Sequence, residues 1–153
     1  MAKQHAYPVS IDVNLLKPNK EFYTLNADNP VASNVFLANY QLTSCEQRSE
    51  ILVDKKKNIV YNEFTVVVKC FKLEHLDKTD FELAVHEART LRQLKHKNIL
   101  PLLANFVNDN QIWMVMPIAE YGSCYQLSRP YGLNELSIAL ILRDVLQGRR
   151  LRP

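Results

Sequence analysis

Residues 63–73 read EFTVVVKCFKL. Three consecutive β-branched side chains favour extended backbone and pack well on a pleated surface, so Val66–Val68 predict a strand buried on at least one face. The next residue is Lys69. A lysine in such a strand desolvates its charge at a cost, runs its stem out to water, or meets an anion. Whatever fold the chain adopts must give Lys69 one of these three surroundings.

The flanking segments narrow the choice. "NVFLANYQL" (34–42) has the texture of a second strand. Between the two strands, "TSCEQRSEILVDKKKNIVYN" (43–62) reads as a long β-hairpin connection and a surface insertion, with Lys55–Lys57 as a solvated basic run. After the lysine strand the period changes. In "TDFELAVHEARTLRQL" (79–94), Phe81, Ala84, Val85, Ala88 and Leu91 recur at helical spacing. Thr79 followed by Glu82 has the form of a capping box, which starts that helix at Thr79 or Asp80. "KHKNILPLLANF" (95–106) begins as a turn and becomes a short strand. "VNDNQIWMVMPI" (107–118) places a polar turn at Asn108–Asn110 between two apolar runs, a hairpin pattern. "AEYGSCYQLSRPYGL" (119–133) reads as a linker. "NELSIALILRDVLQG" (134–148) predicts a second helix with Asn134 as its N-cap. Only Ser137, Arg143, Asp144 and Gln147 form a polar stripe on it, so it reads as a helix meant for burial. Too little chain follows to bury it, so its cover is expected from the rest of a larger domain or from a partner protein.

Glu87 lies on the first helix near Ala84, Leu91 and Leu94, on or beside the apolar stripe, while His86 turns toward solvent with Glu82 and Gln93. A stripe carboxylate facing a sheet requires a cation, and Lys69 on the preceding strand is the nearest candidate. The alternative is that Glu87 borders the stripe and points to water.

Composition excludes some classes. A net charge of +3, with acids and bases interspersed, argues for neither a nucleic-acid nor a membrane partner. The three cysteines, Cys45, Cys70 and Cys124, have no metal-ligand spacing and fit free thiols in a reducing compartment, with Cys70 as a small core residue. The histidines form no ligand set, and His96 in its turn fits a hydrogen-bonded structural role. No signal peptide or membrane span is evident. The organisation read from these segments is a tail at 1–20, a lobe at 21–118, a linker and further helix at 119–148, and a C-terminal tail at 149–153.

The order strand, lysine strand, glutamate helix, strand, hairpin strand, linker, helix resembles the N-terminal lobe of a eukaryotic protein kinase. "VVVK" (66–69) is similar to the kinase VAIK motif, and Glu87 matches the glutamate of the αC helix that pairs with its lysine. "LRQLKHKNILPL" (91–102) resembles the L-x-x-L-x-H-x-N-I segment that follows αC. "IWMVMPIAEYGSC" (112–124) resembles strand five, gatekeeper, hinge and the start of the next helix, with Met116 as gatekeeper, Pro117–Ala119 as hinge and Gly122-Ser123 just beyond. Around "FVNDNQIWMVMPIAEYGSCYQL" and "GLNELSIALILRDVLQG" the wording is similar to the STE20-related adaptor pseudokinases.

The resemblance implies an α+β fold: a kinase-like N-lobe of antiparallel sheet plus αC, then a hinge and the first helices of a C-lobe cut short. It implies a degenerate nucleotide pocket at Val35, Val67, Lys69, Glu87, Met116 and Ala119. It implies an adaptor that binds and allosterically activates a serine/threonine kinase of the liver-kinase-B type, together with a helical-repeat scaffold protein, in the cytoplasm and also the nucleus. No catalytic residue, metal or cofactor is expected, although a full-length relative could hold ATP without turning it over. With Val35 aligned to the valine that follows the kinase phosphate loop, the glycine positions of that loop are filled by Asp28, Pro30 and Ser33; HRD and DFG would both fall beyond Pro153, and neither occurs in the 153 residues. The competing expectation is the front portion of an active STE20-type kinase. A third is that "GRRLRP" is the scar of a splice or gene-model error, leaving a piece with no independent role.

Overall fold

The β-branched run does form a strand, and the largest sheet is built around it. The computed structural model describes residues 16–28, 30–42, 53–54, 59–60, 63–119, 121–129 and 131–150. In chain order the strands are β1 (Tyr23–Leu25), β2 (Val35–Gln41), β3 (Val53–Asp54), β4 (Ile59–Val60), β5 (Glu63–Lys72), β6 (Ala104–Asn108) and β7 (Gln111–Pro117). The helices are α1 (Lys78–Gln93), α2 (Cys124–Leu127) and α3 (Glu135–Arg149). Short 3₁₀ turns at Lys20–Phe22 and Leu73–His75 precede β1 and α1.

The main sheet runs β1-β2-β5-β7-β6 and every neighbouring pair is antiparallel. The lysine strand is therefore central, bonded to β2 on one side and β7 on the other. Within the expected connection between β2 and β5, β3 and β4 pair as a small separate ladder. Cys45 and the Lys55–Lys57 run lie outside the described residues.

Strand alternation divides β5 cleanly. Val66, Val68 and Cys70 turn to one face, where they join Leu16, Tyr23, Ala38, Tyr40, Leu103, Trp113 and Val115 in the larger core cluster. Tyr23 on one edge strand lies 5.7 Å in ring-centroid distance from Phe106 on the other edge strand. The sheet thus curls until side chains of its two edges meet, which encloses this aromatic core on the face away from α1. The other face carries Val67, Lys69 and Phe71 and receives α1. Leu16 and Lys17, inside the range expected to be a tail, belong to this packing. Leu16 is buried, the Lys17 amide donates to the Tyr40 hydroxyl at 3.0 Å, and the Tyr23 hydroxyl donates to the Lys17 carbonyl at 2.9 Å.

α1 begins at Lys78, one or two residues earlier than the Thr79/Glu82 pattern predicts. Its N-cap is Asp77, whose carboxylate accepts the Asp80 amide at 2.7 Å. An anionic acceptor beside the positive end of the helix dipole outcompetes a threonine hydroxyl two residues later. Of the expected stripe, Ala84 and Ala88 are buried and Leu91 is half-buried, whereas Phe81 is 43% exposed. The reason is the footprint of the sheet: the cluster under α1 (Leu102, Ile112 and Met114, with Phe71, Leu73 and Met116) meets Ala88 and Leu91 and not the first turn.

The β6–β7 hairpin closes where its polar turn predicts. Asn108 pairs with Gln111, and Asp109 takes a positive φ of 50°. Two-residue hairpin loops call for that left-handed backbone, and Asp tolerates it better than most side chains.

The expected linker at 119–133 contains α2. Ser123 caps it, accepting the Gln126 amide, while the Gln126 side chain accepts the Ser123 amide at 2.8 Å. Gly122 is required here: its φ is +74°, and a Cβ would collide with the Gln126 side chain that makes the box.

α3 forms where expected, capped by the Asn134 side chain on the Ser137 amide at 2.8 Å. Its apolar surface is left without cover among the described residues. The less exposed positions are Ser137, Ile141, Asp144, Gln147 and Gly148, so its polar stripe faces the lobe. Leu136, Ile138, Leu140, Leu142, Val145 and Leu146 are all exposed. Asn98 explains the choice, because its side-chain amide donates to the Asp144 carbonyl at 2.9 Å and to Gln147 Oε1 at 3.3 Å. At Gly148 a Cβ would lie 3.3 Å from Ile99 and 3.4 Å from the Asn98 carbonyl, so a larger side chain would hold the helix off.

Candidate functional site: the Lys69–Glu87 pair and the loop above it

The register of β5 builds the site. Lys69 pairs with Val35 on β2 and Met114 on β7, and Val67 pairs with Leu37 and Met116. Residues opposite each other in a ladder share a face. Val35, Val67, Lys69 and Met116, expected together from the sequence, therefore share the face that α1 covers. Ala119 is not among them. It lies past the end of β7, exposed, with its carbonyl accepting the Gly122 amide at 3.0 Å.

Glu87 arrives from α1. Alanines at 84 and 88, one helical turn apart, keep the helix surface low and let it come close to the sheet. The Lys69 ammonium donates to Glu87 Oε1 at 3.0 Å and to Oε2 at 2.9 Å. The expected pair thus forms, with both carboxylate oxygens engaged. It is half-screened: the lysine side chain is 24% exposed and the glutamate 41%. Such a pair contributes about 1 kcal/mol. Its larger effect is geometric, since it ties a helix to the centre of a sheet at a chosen turn.

Phe71, two residues on along β5, shares the Lys69 face. Its ring centroid lies 4.8 Å from the lysine nitrogen. Sequence reading missed this contact, although the i, i+2 spacing on one strand was available to suggest it. Asn98, which holds α3, was likewise visible only as part of a turn. In that turn the Asn98 amide donates to His96 Nδ1 at 3.1 Å, the structural role expected of His96. Below the pair, a cavity of about 640 Å³ opens between α1 and α3, with Glu87, Leu91, Ile99 and Gly148 in its wall.

The β1–β2 loop stands where a phosphate-cradling turn would be. It has no glycine, and part of its backbone is already committed. The Val31 and Ala32 amides both donate to the Val35 carbonyl, at 2.7 and 3.2 Å, and the Val35 amide returns a bond to the Ala32 carbonyl at 3.1 Å. Pro30 has no amide hydrogen to offer. Asp28 and Ser33 are exposed and bring a carboxylate and a hydroxyl. The Val31 and Ala32 amides, spent within the turn, are not available to an anion.

Among the described residues no group of three or more His, Cys, Asp or Glu side chains is placed to hold a metal ion. Among them, no helix is long and apolar enough to cross a membrane. Cys70 sits in the core on the far face from Lys69, and burial pushes its thiol up to about 11.

Residues 47–142 match the protein tyrosine and serine/threonine kinase family. The chain belongs to the protein kinase family. The curled five-stranded antiparallel sheet and α1 are the amino-terminal lobe of that fold. Similar proteins fall within the STE20-related group. Germinal center kinase 3 of Caenorhabditis elegans is 30% identical over 95 residues, a stretch covering 54% of this chain and 16% of that protein. STE20-related kinase adapter protein alpha of Mus musculus is 34% identical over 86 residues, covering 54% of this chain and 20% of the adapter. Serine/threonine-protein kinase STE20 of Yarrowia lipolytica is 29% identical over 89 residues, covering 58% and 8%. The match spans a fifth or less of the length of each of these relatives.

Proposed function

We propose that this kinase-family chain works as a binding module, an adaptor of the STE20-related type, and not as a phosphoryl-transfer enzyme. In this reading it binds the active arrangement of a partner serine/threonine kinase of the liver-kinase-B type more tightly than the inactive one, alongside a helical-repeat scaffold protein in the cytoplasm or nucleus. Differential affinity of that kind is what activates a partner. The observation that carries the reading is the β1–β2 loop, which has no glycine, contains Pro30, and bonds its Val31 and Ala32 amides internally. Phosphoryl transfer relies on backbone donors and metal ions to position and neutralise phosphates. Similarity to the adapter protein of Mus musculus supports the same reading.

The second reading, a portion of an active STE20-type kinase, is favoured by the formed Lys69–Glu87 pair and by similarity to the two kinases above. One experiment separates them. The purified chain is titrated with MgATP while its melting temperature is followed, then added to a liver-kinase-B-type kinase with and without the scaffold. The adaptor reading expects no ATP-dependent shift and a rise in partner activity. A saturable shift abolished by Lys69→Ala, with no effect on the partner, sinks it in favour of the enzyme reading.

A further inference from the structure

We infer that Phe71 is a positioning residue for Lys69, and that its ring takes the side of the ammonium which an anionic ligand would otherwise occupy. The Lys69–Glu87 anchor is then complete without a phosphate.

Three observations combine. Both Glu87 oxygens are engaged by the same ammonium, at 3.0 and 2.9 Å, so the carboxylate accounts for one side of it. The Phe71 ring lies 4.8 Å from the nitrogen, inside the range at which the negative face of an aromatic ring attracts a cation. The two residues are neighbours on one face of the central strand, so the strand itself fixes their spacing. The β1–β2 loop, meanwhile, spends its Val31 and Ala32 amides internally. What an ordinary anion would supply to the lysine is supplied by the protein. Phe71 also packs against the cluster beneath α1, so one side chain couples helix seating to lysine placement. The inference deepens the adaptor reading and rests on it in one respect: it explains how α1 stays seated with no nucleotide.

The test uses the full chain with Phe71 replaced by 3,4,5-trifluorophenylalanine, which keeps the ring's shape and removes its negative face. Phe71→Leu and Phe71→Trp serve as second variants, and Glu87→Gln as the control in which the ion pair itself is lost. The readout is the rate at which formaldehyde and cyanoborohydride methylate Lys69, followed by peptide mass spectrometry against the exposed Lys72 and Lys78 of the same molecule. Trifluorination is expected to raise the Lys69 rate about threefold, in keeping with the modest weight of a partly exposed cation–π contact, with Phe71→Trp as slow as the parent chain. MgATP is expected to leave the parent rate unchanged. A rate that is the same for phenylalanine and its trifluoro analogue overturns the inference, because a purely packing role does not depend on ring electronics. Protection of Lys69 by MgATP in the parent chain overturns it too, since a ligand then reaches the side assigned to the ring. A saturable ATP-induced melting shift with the Lys69 rate unmoved would sink the adaptor reading and leave the role of Phe71 intact.

Discussion

Among single residues, Lys69 and Cys70 are adjacent in sequence and opposite in chemistry. Strand alternation sends the ammonium to a carboxylate and a ring, and the thiol into the aromatic core. The thiol's pKa rises because burial penalises the thiolate. An unfolded chain ionises it near the ordinary value of 9.0, and the folded chain only near about 11. The contribution is therefore fully present below pH 9 and is lost as pH climbs through the folded value, over a span that corresponds to roughly 2–3 kcal/mol. The expected outcome is that urea-derived stability falls more steeply from pH 8.5 to 10.5 in the parent chain than in Cys70→Ala. Lys69 and Glu87 were legible in the sequence because a charge among β-branched residues demands a partner and helical spacing supplied one. The role of Phe71 was not legible: it depends on where the Lys69 stem bends, and strand alternation fixes faces without fixing rotamers.

Secondary-structure elements were readable wherever periodicity was strong, and their ends were less so. β5, the β6–β7 hairpin and α1 follow from β-branching, a polar turn and a 3.6-residue stripe. The start of α1 was misread because Thr79/Glu82 has the form of a capping box, while Asp77 has the stronger acceptor. Asp77→Ala is expected to cost about 1 kcal/mol, and Thr79→Ala only a few tenths, in matched denaturation curves followed by far-UV circular dichroism. α2 lay in a linker by local pattern, and only the kinase resemblance put the start of a helix there, although Ser123 and Gln126 carried its capping box. A helix of one turn buries almost nothing, so no apolar period announces it. In α3 the period and the lack of cover were legible, and the face that meets the lobe was not. An apolar helix surface predicts burial, but the side chain of Asn98 selected the polar stripe. That selection came from 46 residues away in sequence, beyond the reach of any local pattern.

For the whole molecule, the described residues form a well-packed sheet lobe and a helix joined to it along one narrow stripe. The fold of the lobe was largely legible, because its hydrophobic pattern and segment order are dictated by strand and helix periods. The seating of Leu16 and the meeting of the sheet's two edges were not, since both depend on how far the sheet curls. The join to α3 is the structurally weak point. A bulky side chain at 148 overlaps Ile99 and the Asn98 carbonyl, so Gly148→Leu should free α3 and leave the sheet folded. Hydrogen exchange is expected to accelerate more than tenfold in α3 and to stay unchanged in β5 and β7; equal acceleration in both would show one cooperative unit instead. The aromatic core makes this separation visible by light alone. The chain has a single tryptophan, Trp113, and it is 1% exposed beside Tyr23 and Phe106. Its emission should be blue-shifted and poorly quenched by iodide, and it should stay so when α3 comes away, making Trp113 a built-in optical probe of the sheet.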